Sequence, residues 1–425
     1  MNVRGLRYAT AVLVLVSATG VLAQQPPLNP ERAARIDALL QRYVDENRIA
    51  GAVALVLHDG KPVYERALGW SDKEAGRKMT ADTIFRIASQ TKALTSAAVL
   101  MLVEEGRLAL SNPVGQFIAS FDKTTVAVRG DIGATAVAAT RPITVRDLLT
   151  HTAGISYGTE SHIAPLYEAK GLGPAAGYGW YTADKDEPVC ETMNRLGTLP
   201  FVSQPGEAWV YGYNTDVLGC IVERASGMPL DRFIDTRITG PLRMKDTRFF
   251  LAPGDRARLA AVYASRSDGT TARAPDGARG QGHYVEGPQR NFAGGAGLLS
   301  TARDYARFLE MIRNGGVLDG VRLLSARSVA LMTSNQVGTL HSLDGLGYSL
   351  AFETVERYGA SGMSSVGAYG WGGAYGTRYI VDPDARVTMI LMIQLLPNLT
   401  DVREKFPNVV YQALGEAPRT GSESR

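Results

Sequence analysis

A serine and a lysine, three residues apart, precede an apolar stretch early in the sequence. Ser89 and Lys92 stand before the mostly apolar, alanine-rich run 93–103, which predicts a helix that opens near Ser89 and ends near Gly106. Such residues share one helical face, and the helix N-terminus favours developing negative charge. A serine nucleophile needs an adjacent base, which a lysine kept neutral by burial can be. The pair is therefore a candidate nucleophile and base, although a helix-capping serine beside a surface-reaching lysine gives the same pattern.

A second candidate nucleophile, Ser156, lies in the sequence Gly-Ile-Ser-Tyr-Gly at 154–158. This matches the Gly-x-Ser-x-Gly nucleophile elbow, which needs a strand before the serine and a helix after it. The preceding segment 145–151 is instead typical of a helix, and the segment that follows shows no helical periodicity. We therefore interpret 154–158 as a glycine-containing loop and predict that Ser156 is not the nucleophile.

Two later segments contain groups that could complete a site around Ser89. The segment 205–219 leads from an aromatic-rich turn into an apolar helix and contains Tyr211, whose hydroxyl can relay protons beside a lysine charge. The segment 370–377 (Gly-Trp-Gly-Gly-Ala-Tyr-Gly-Thr) runs into a strand, and its small residues let backbone N–H groups approach a bound carbonyl. Taken alone, the first also fits an aromatic packing cluster and the second an edge strand with bulges.

In this order, the motifs resemble those of the serine β-lactamase and penicillin-binding-protein superfamily. More narrowly, the chain is similar to family VIII carboxylesterases, which share the class C β-lactamase fold. The segments 147–154 (Asp-Leu-Leu-Thr-His-Thr-Ala-Gly), 294–304 and 323–325 agree with this resemblance, which covers about residues 30–415. It implies an α/β (α+β) fold with an antiparallel sheet, flanking helices and an inserted, mostly helical region.

The resemblance also implies a role for each matching residue. Ser89 would be the acylated nucleophile, Lys92 its general base, and Tyr211 the group that carries the proton to and from the leaving group. The N–H of Ala374 would join that of Ser89 in an oxyanion hole, and His151 would be structural. The implied oxyanion and substrate-binding set is Ser89, Ala374, Trp371, Gly372, Gly373, Tyr213 and Asn214.

Two departures from the class C β-lactamases bear on the substrate. Where those enzymes carry Tyr-x-Asn, this chain has Tyr213 at the second position after Tyr211, and Asn214 comes one residue later. Where they carry Lys-Thr-Gly, it has Trp-Gly-Gly at 371–373, which removes a cation suited to the carboxylate of a β-lactam. Neutral esters fit this change better, because Trp371 would add an apolar wall.

The rest of the chain must form the framework that positions these residues. A hairpin signal, Asp59-Gly60, separates two strand-like runs after the first helical pattern, and further strand-like runs come near the C-terminus. We predict a sheet domain formed by 24–110 plus 300–418, with a helical region and substrate loops over 111–299 and the site at their seam. The predicted elements are helices at 30–47, 145–149, 215–225, 230–238 and 401–414 and strands at 51–58, 62–68, 348–354, 375–381 and 386–394.

Composition and the N-terminus indicate an exported globular protein. The 425 residues are 45% hydrophobic and 20% charged, and the net charge of +3 includes no basic block, so nucleic acid is not an implied partner. Residues 1–23 are typical of a signal peptide cleaved near Ala23, with an uncleaved membrane anchor as the alternative. Cleavage predicts a periplasmic or secreted protein with no stable membrane insertion.

Export bears on the two cysteines. In an oxidising compartment Cys190 and Cys220 could pair, and two buried free thiols fit their spacing equally well. The five histidines lack metal-ligand spacing, and no nucleotide-binding glycine pattern is complete, so no metal or cofactor is predicted.

Together these features predict a secreted or periplasmic serine hydrolase that cleaves carboxylic esters through an acyl-enzyme on Ser89. The expected partner is a small-molecule ester or amide substrate, and no oligomeric state is predicted. The alternatives are a β-lactamase, a D-amino-acid amidase or peptidase of the same fold, and a non-catalytic penicillin-binding-like receptor.

Overall fold

The computed structural model describes residues 28–130, 134–174, 181–277 and 280–414. The predicted signal peptide, at 1–23, lies outside these ranges. Among the helices that are described, none has the length and apolar character needed to cross a membrane. In chain order, the α-helices of these ranges are α1 (Pro30–Asp45), α2 (Thr91–Glu104), α3 (Val145–Leu149), α4 (Ala164–Ala169), α5 (Val189–Leu196), α6 (Asn214–Ser226), α7 (Leu230–Ile234), α8 (Ala302–Arg313), α9 (Ala326–Thr333) and α10 (Val402–Tyr411).

The strands of the described residues form a large antiparallel sheet, one three-stranded sheet and three short pairs. They are β1 (Gly51–His58), β2 (Lys61–Asp72), β3 (Arg77–Lys78), β4 (Phe85–Arg86), β5 (Thr125–Arg129), β6 (Ala134–Ala138), β7 (Pro200–Phe201), β8 (Tyr263–Ser265), β9 (Thr271–Arg273), β10 (Leu299–Ser300), β11 (Val317–Leu318), β12 (Val321–Arg322), β13 (Leu346–Tyr348), β14 (Glu353–Val355), β15 (Tyr369–Gly372), β16 (Arg378–Asp382) and β17 (Val387–Met392).

The large sheet joins the two ends of the chain. Its strand order is β13-β14-β15-β16-β17-β1-β2-β3, so the first strand pairs with the last, with Val53 opposite Met392. The hairpin between β1 and β2 turns at Asp59 and Gly60, whose φ angles of 50° and 75° match a type I′ turn. The predicted fold class, an antiparallel sheet from both chain ends flanked by helices, is confirmed.

Strand β1 is apolar throughout because both faces of the sheet are covered. Val53, Leu55 and Leu57 belong to the main hydrophobic core, which includes α2, α6 and α8. The alternate residues Ala52 and Val56 face a second core against α1 and α10. A strand buried on both faces reads as a continuous apolar run rather than as an alternating one.

Helix α2 lies in the middle of the main core. Every residue from Thr91 to Leu102 is buried, so the helix is enclosed by protein on all sides, as expected of a core helix. Helix α6 packs against it, and a disulfide between Cys190 and Cys220 joins α6 to α5. The cysteines are therefore paired, which decides between the two alternatives left open by their spacing.

One predicted strand is wrong. The run 348–354 contains a tight turn between β13 and β14, in which the Ser349 N–H donates to the carbonyl of Phe352 at 2.8 Å. The Ser349 Oγ also accepts the Phe352 N–H at 2.9 Å, so a serine side chain holds the turn inside a run that lacks glycine and proline. The strand predicted at 375–381 begins later, at Arg378, because Gly376 (φ 88°) turns the chain before it.

Candidate active site

Ser89 lies on a 3-10 turn, Ala88–Gln90, between β4 and α2. Ala88 has a φ of 44°, in the left-handed region that residues other than glycine rarely adopt. Such strain costs about 1–3 kcal/mol and persists only where the surrounding structure enforces it. Ser89 is partly exposed whereas Ala88 and Gln90 are buried, so the strained turn presents this one side chain at the surface of the core.

Lys92 lies one helical turn further on, and only 1% of its surface is exposed. Its Nζ donates to the Ser89 Oγ at 3.3 Å, the Tyr157 hydroxyl at 3.2 Å and the Gly295 carbonyl at 2.8 Å. A lysine ammonium has three N–H donors, which match these three oxygens. Loss of one proton leaves two donors and a lone pair, so a neutral Lys92 can accept a proton from Ser89 without moving.

Tyr157 is the residue of this site that the sequence analysis missed. It follows Ser156 in the loop interpreted as a false nucleophile elbow, and no spacing signal connects it to Lys92, which is 65 residues away. The loop lies between the helices α3 and α4, so the strand expected before an elbow is absent from the described segment. Ser156 is 1% exposed; its Oγ donates to Glu160 at 2.7 Å and accepts the Gly158 N–H at 3.0 Å. These bonds brace the loop that carries Tyr157.

The Tyr157 hydroxyl remains protonated near neutral pH. Burial raises its pKa well above the usual value, and the neighbouring Tyr211 and Asp216 raise it further. A neutral hydroxyl can accept a hydrogen bond from Lys92 while it passes its own proton to another oxygen. The geometry therefore makes Tyr157 suitable as a proton relay but not as a resident base.

Tyr211 also borders Lys92, but through its ring. The Lys92 Nζ lies 4.7 Å from the centroid of the Tyr211 ring, a cation–π distance. The Tyr211 hydroxyl accepts a hydrogen bond from Trp371 Nε1 at 3.1 Å. Within the described ranges it makes no hydrogen bond to Ser89 or Lys92, so its role in carrying a proton to the leaving group stays a prediction.

Phenylalanine substitutions separate the two tyrosines. Tyr157→Phe removes a hydroxyl from Lys92 and is expected to lower kcat for an ester about 10²-fold, the scale of one positioned proton-transfer group. Tyr211→Phe keeps the ring above Lys92 and removes the acceptor of Trp371; if its hydroxyl relays the proton, the loss should be similar. Steady-state ester hydrolysis at several pH values measures both effects. Full activity in either variant would exclude that tyrosine as the relay.

Two residues of the predicted substrate-binding set lie behind the site. Tyr213 is fully buried, and its hydroxyl accepts the Gly173 N–H at 3.1 Å. Asn214 is also fully buried; its Nδ2 donates to the His151 Nδ1 at 2.9 Å and to the Ile155 carbonyl at 3.2 Å. Both side chains contact the protein framework, and we assign neither a contact with substrate.

His151 supports the Tyr211 segment. Its φ is 57°, its carbonyl accepts the Val210 N–H at 2.7 Å, and its ring lies 4.8 Å from that of Tyr211. Because Nδ1 accepts from Asn214, the ring proton is on Nε2. Burial lowers the pKa of His151 well below its usual value, and the charge of Lys92 lowers it further, so the ring is neutral at pH 7.

The end of β15 comes close to the Ser89 turn because residue 373 is a glycine. A Cβ on Gly373 would lie 2.5 Å from the backbone oxygen of Ile87 and 2.3 Å from the Thr377 Oγ1. Among the described residues, neither the N–H of Ser89 nor that of Ala374 donates a hydrogen bond. These two donors therefore have the hydrogen-bonding capacity that an oxyanion requires.

Gly373→Ala tests this close approach. The backbone at Ile87 cannot give way cheaply, so the methyl group should push β15 from the Ser89 turn and separate the two N–H donors. We expect kcat to fall about 10²- to 10³-fold, the range for loss of one oxyanion donor, with a small change in KM. Gly372→Ala is the matched control, since its closest contact would be 3.1 Å from the Thr377 oxygen and its loss should be much smaller. Equal activity of the two variants would contradict this assignment.

An aromatic cluster forms one wall beside Lys92. Trp371, at the end of β15, is partly exposed, and its ring lies 5.5 Å from that of Tyr211 and 5.4 Å from that of Tyr348. Trp209 stacks on Tyr211 at 5.6 Å, and His341 lies 4.4 Å from Trp209. These rings give the site an apolar wall on this side.

The chain is similar to known proteins over most of its length. Residues 36–414 match the family named Beta-lactamase. The chain is 32% identical over 375 residues to the esterase EstB of Burkholderia gladioli, with 85% of this chain and 90% of that protein covered. It is 27% identical over 413 residues to a lovastatin esterase of Penicillium rubens, with 89% and 98% covered.

Solved structures give the same fold. EstCE1, a hydrolase with promiscuous acyltransferase activity, has a TM-score of 0.75 at 24% identity, with 91% of this chain and 98% of that chain covered. A penicillin-binding protein homologue from Caulobacter crescentus has a TM-score of 0.67 at 18% identity, with 91% and 99% covered. The same framework thus occurs in a hydrolase and in a penicillin-binding protein homologue.

Proposed function

Because this chain belongs to the beta-lactamase family and is a serine hydrolase of that fold, we propose that it hydrolyses carboxylic esters through an acyl-enzyme on Ser89. The observation that carries the proposal is the buried Lys92 Nζ, 3.3 Å from a partly exposed serine hydroxyl. The esterase relatives support an ester as the substrate.

In the first half-reaction, the Ser89 Oγ attacks the ester carbonyl while the Lys92 Nζ accepts the serine proton. The carbonyl oxygen becomes an oxyanion, and the N–H groups of Ser89 and Ala374 stabilise it. Collapse of this intermediate breaks the bond to the alcohol oxygen. The proton passes from Lys92 to that oxygen, either directly or through the hydroxyl of Tyr157 or Tyr211. The products are a free alcohol and a Ser89 ester.

In the second half-reaction, water attacks the acyl carbonyl and gives its proton to the neutral Lys92. The oxyanion forms again between the same two N–H donors. Its collapse breaks the bond to the Ser89 Oγ, which takes the proton back, and a carboxylic acid leaves. Each step uses the same lysine first as a base and then as an acid, so no further cofactor is needed for the proton balance.

The direct test is the covalent intermediate. We expect purified protein to hydrolyse p-nitrophenyl butyrate and, after rapid acid quenching, to carry up to one butanoyl group per chain. Peptide mass spectrometry should locate this group on Ser89. Turnover with the acyl group on another residue, or acylation of Ser156, would contradict the proposal.

Other substrates distinguish the alternatives of the same fold. Residue 371 is a tryptophan where class C β-lactamases carry a lysine, so we expect ester hydrolysis to exceed nitrocefin hydrolysis in kcat/KM. A higher kcat/KM for nitrocefin than for esters would favour a β-lactamase. A higher kcat/KM for D-alanyl peptides than for esters would favour an amidase or peptidase. Acylation of Ser89 without turnover would favour a penicillin-binding-like receptor.

We further propose that the protein acts in the periplasm or outside the cell. The N-terminal pattern at 1–23 supports export, and so does the Cys190–Cys220 disulfide, because such bonds persist in oxidising compartments. N-terminal sequencing of the protein from the periplasmic and culture fractions should show a start near Gln24. An intact Met1 in cytosolic protein would contradict this location.

A further inference from the structure

A buried carboxylate lies behind the lysine of the active site. Asp216, in the first turn of α6, is 0% exposed. Its Oδ1 accepts the N–H of Gly295 at 3.0 Å. Its Oδ2 has no hydrogen-bond partner among the described residues. A buried acid with one unpaired oxygen is costly to keep, so its position calls for a reason.

Gly295 connects this carboxylate to Lys92. While its N–H donates to Asp216, its carbonyl accepts the Lys92 Nζ at 2.8 Å, the shortest of the three lysine hydrogen bonds. Both interactions hold the same residue from opposite sides. The position of the Gly295 carbonyl, and with it one of the three contacts of Nζ, therefore depends on Asp216.

The segment around Gly295 is clamped between two helices. A Cβ on Gly295 would lie 2.4 Å from the Asp216 Oδ2, and one on Gly294 would lie 2.7 Å from the backbone oxygen of Thr215. On the other side, the Thr95 Oγ1 of α2 donates to the Gly294 carbonyl at 2.8 Å. Only glycine fits at these two positions. Because the segment packs this closely on α6, the position of α6 sets the position of the Gly295 carbonyl that Lys92 contacts.

Asp216 and Lys92 are coupled by charge as well. Burial raises the pKa of Asp216 to about 6, although the charge of Lys92 and the Gly295 N–H act to lower it. The other titratable groups that face the pair are the rings of His151, Tyr157, Tyr211 and Tyr213. Near pH 7, the His151 ring is neutral and the Tyr157 hydroxyl is protonated. An ionised Asp216 is therefore a source of negative charge that Lys92 meets in this cluster.

We infer that Asp216 is a positioning residue for Lys92, which fixes the lysine through Gly295 and stabilises its protonated form by charge. The inference rests on the proposed function, in which Lys92 takes the proton of Ser89. Two consequences follow. The charge of Asp216 stabilises the ammonium that forms during the attack, and this support is lost when Asp216 becomes protonated below about pH 6.

Asp216→Asn separates the charge from the shape. The asparagine oxygen can still accept the Gly295 N–H, but the negative charge is gone. We expect the maximal kcat/KM for p-nitrophenyl butyrate to fall roughly 10-fold. The acid limb of its pH profile should move to lower pH, because the loss of activity caused by protonation of Asp216 near pH 6 is absent in this variant. Asp216→Ala also removes the acceptor, so its loss should exceed that of Asp216→Asn.

The matched control is Asp304→Asn. Asp304 is also a buried acid in the first turn of a helix, and burial raises its pKa, but its Oδ2 accepts the Asp246 N–H, away from Lys92. This variant should keep the wild-type pH profile even if it loses stability. An acid limb that stays in place in Asp216→Asn, or that moves equally in Asp304→Asn, would overturn the inference.

If Asp216→Asn does not fold, titration of the Asp216 carboxyl group tests the inference instead. In ¹³C NMR, the Asp216 carboxyl should titrate at a higher pH in Lys92→Met than in the wild type, because the lysine charge that lowers its pKa is absent. An identical titration would overturn the coupling. If the wild type carries no acyl group on Ser89, the proposed function fails, and this inference with it. If Ser89 is acylated but Asp216→Asn keeps the wild-type pH profile of kcat/KM, only the role of Asp216 is overturned.

Discussion

Ser89→Ala is expected to lower kcat/KM for a p-nitrophenyl ester by about 10⁴-fold or more, with no acyl group bound to the protein. Without the Oγ, no serine ester forms, and the residual rate comes from water attack on substrate held near the free N–H groups of Ser89 and Ala374. Steady-state kinetics, together with intact-protein mass after quenching, measure both effects. The variant should fold normally, because Ser89 is partly exposed and its removal leaves no cavity in the core.

Ser156→Ala is the matched control. This serine lies in the Gly-x-Ser-x-Gly pattern, but its Oγ is bonded to Glu160 and to the Gly158 N–H. We expect most of the activity to remain, with a stability loss of about 1–2 kcal/mol from the broken hydrogen bonds. Full activity in Ser89→Ala would refute the proposed nucleophile. Complete loss in a well-folded Ser156→Ala would favour the elbow interpretation.

The second large effect is expected from Lys92. Methionine fills the buried space of the lysine stem but cannot accept a proton, so Lys92→Met should lower kcat for the same ester about 10³- to 10⁴-fold. Lys92→Arg should be nearly as inactive, because a guanidinium stays protonated at every accessible pH. Rapid-quench measurement of Ser89 acylation should show that the first half-reaction has become slow.

Lys185→Met is the matched control, because it also replaces a buried lysine with methionine. Lys185 is also largely buried, and its Nζ lies 3.9 Å from a carboxylate oxygen of Glu187. This variant should keep ester hydrolysis within a few-fold of the wild type. A Lys92→Arg variant that retains wild-type kcat would show that the lysine supplies charge and not a base.

The parts of the structure that could be predicted from the sequence have local causes. The stripe Ile36, Leu39, Leu40 and Tyr43 predicts α1, and all four side chains are buried as expected. The Asp59-Gly60 turn predicts the first hairpin because both residues tolerate a positive φ. Ser89 and Lys92 also come together locally, because the 3-10 turn that carries Ser89 runs directly into α2 and places the two residues about one helical turn apart.

The parts that could not be predicted depend on contacts distant in sequence. Tyr157 and Gly295 lie 65 and 203 residues from Lys92, and no periodicity connects them to it. Tyr211 was identified through the family resemblance, but the direction of its hydroxyl toward Trp371 depends on how β15 packs. The Cys190–Cys220 pair likewise needed the packing of α5 on α6, because two cysteines carry no pattern of their own.

The pairing of β1 with β17 has a consequence for how the protein is made. Strand β1 emerges early in synthesis, but its hydrogen-bonding partner β17 (Val387–Met392) follows more than 300 residues later. Long-range strand pairing of this kind cannot begin until both partners are present. Ala374 lies in the same late portion, so a nascent chain has no complete oxyanion hole. A complete active site is thus expected only after the segment 374–392 has been synthesised and β17 has paired with β1.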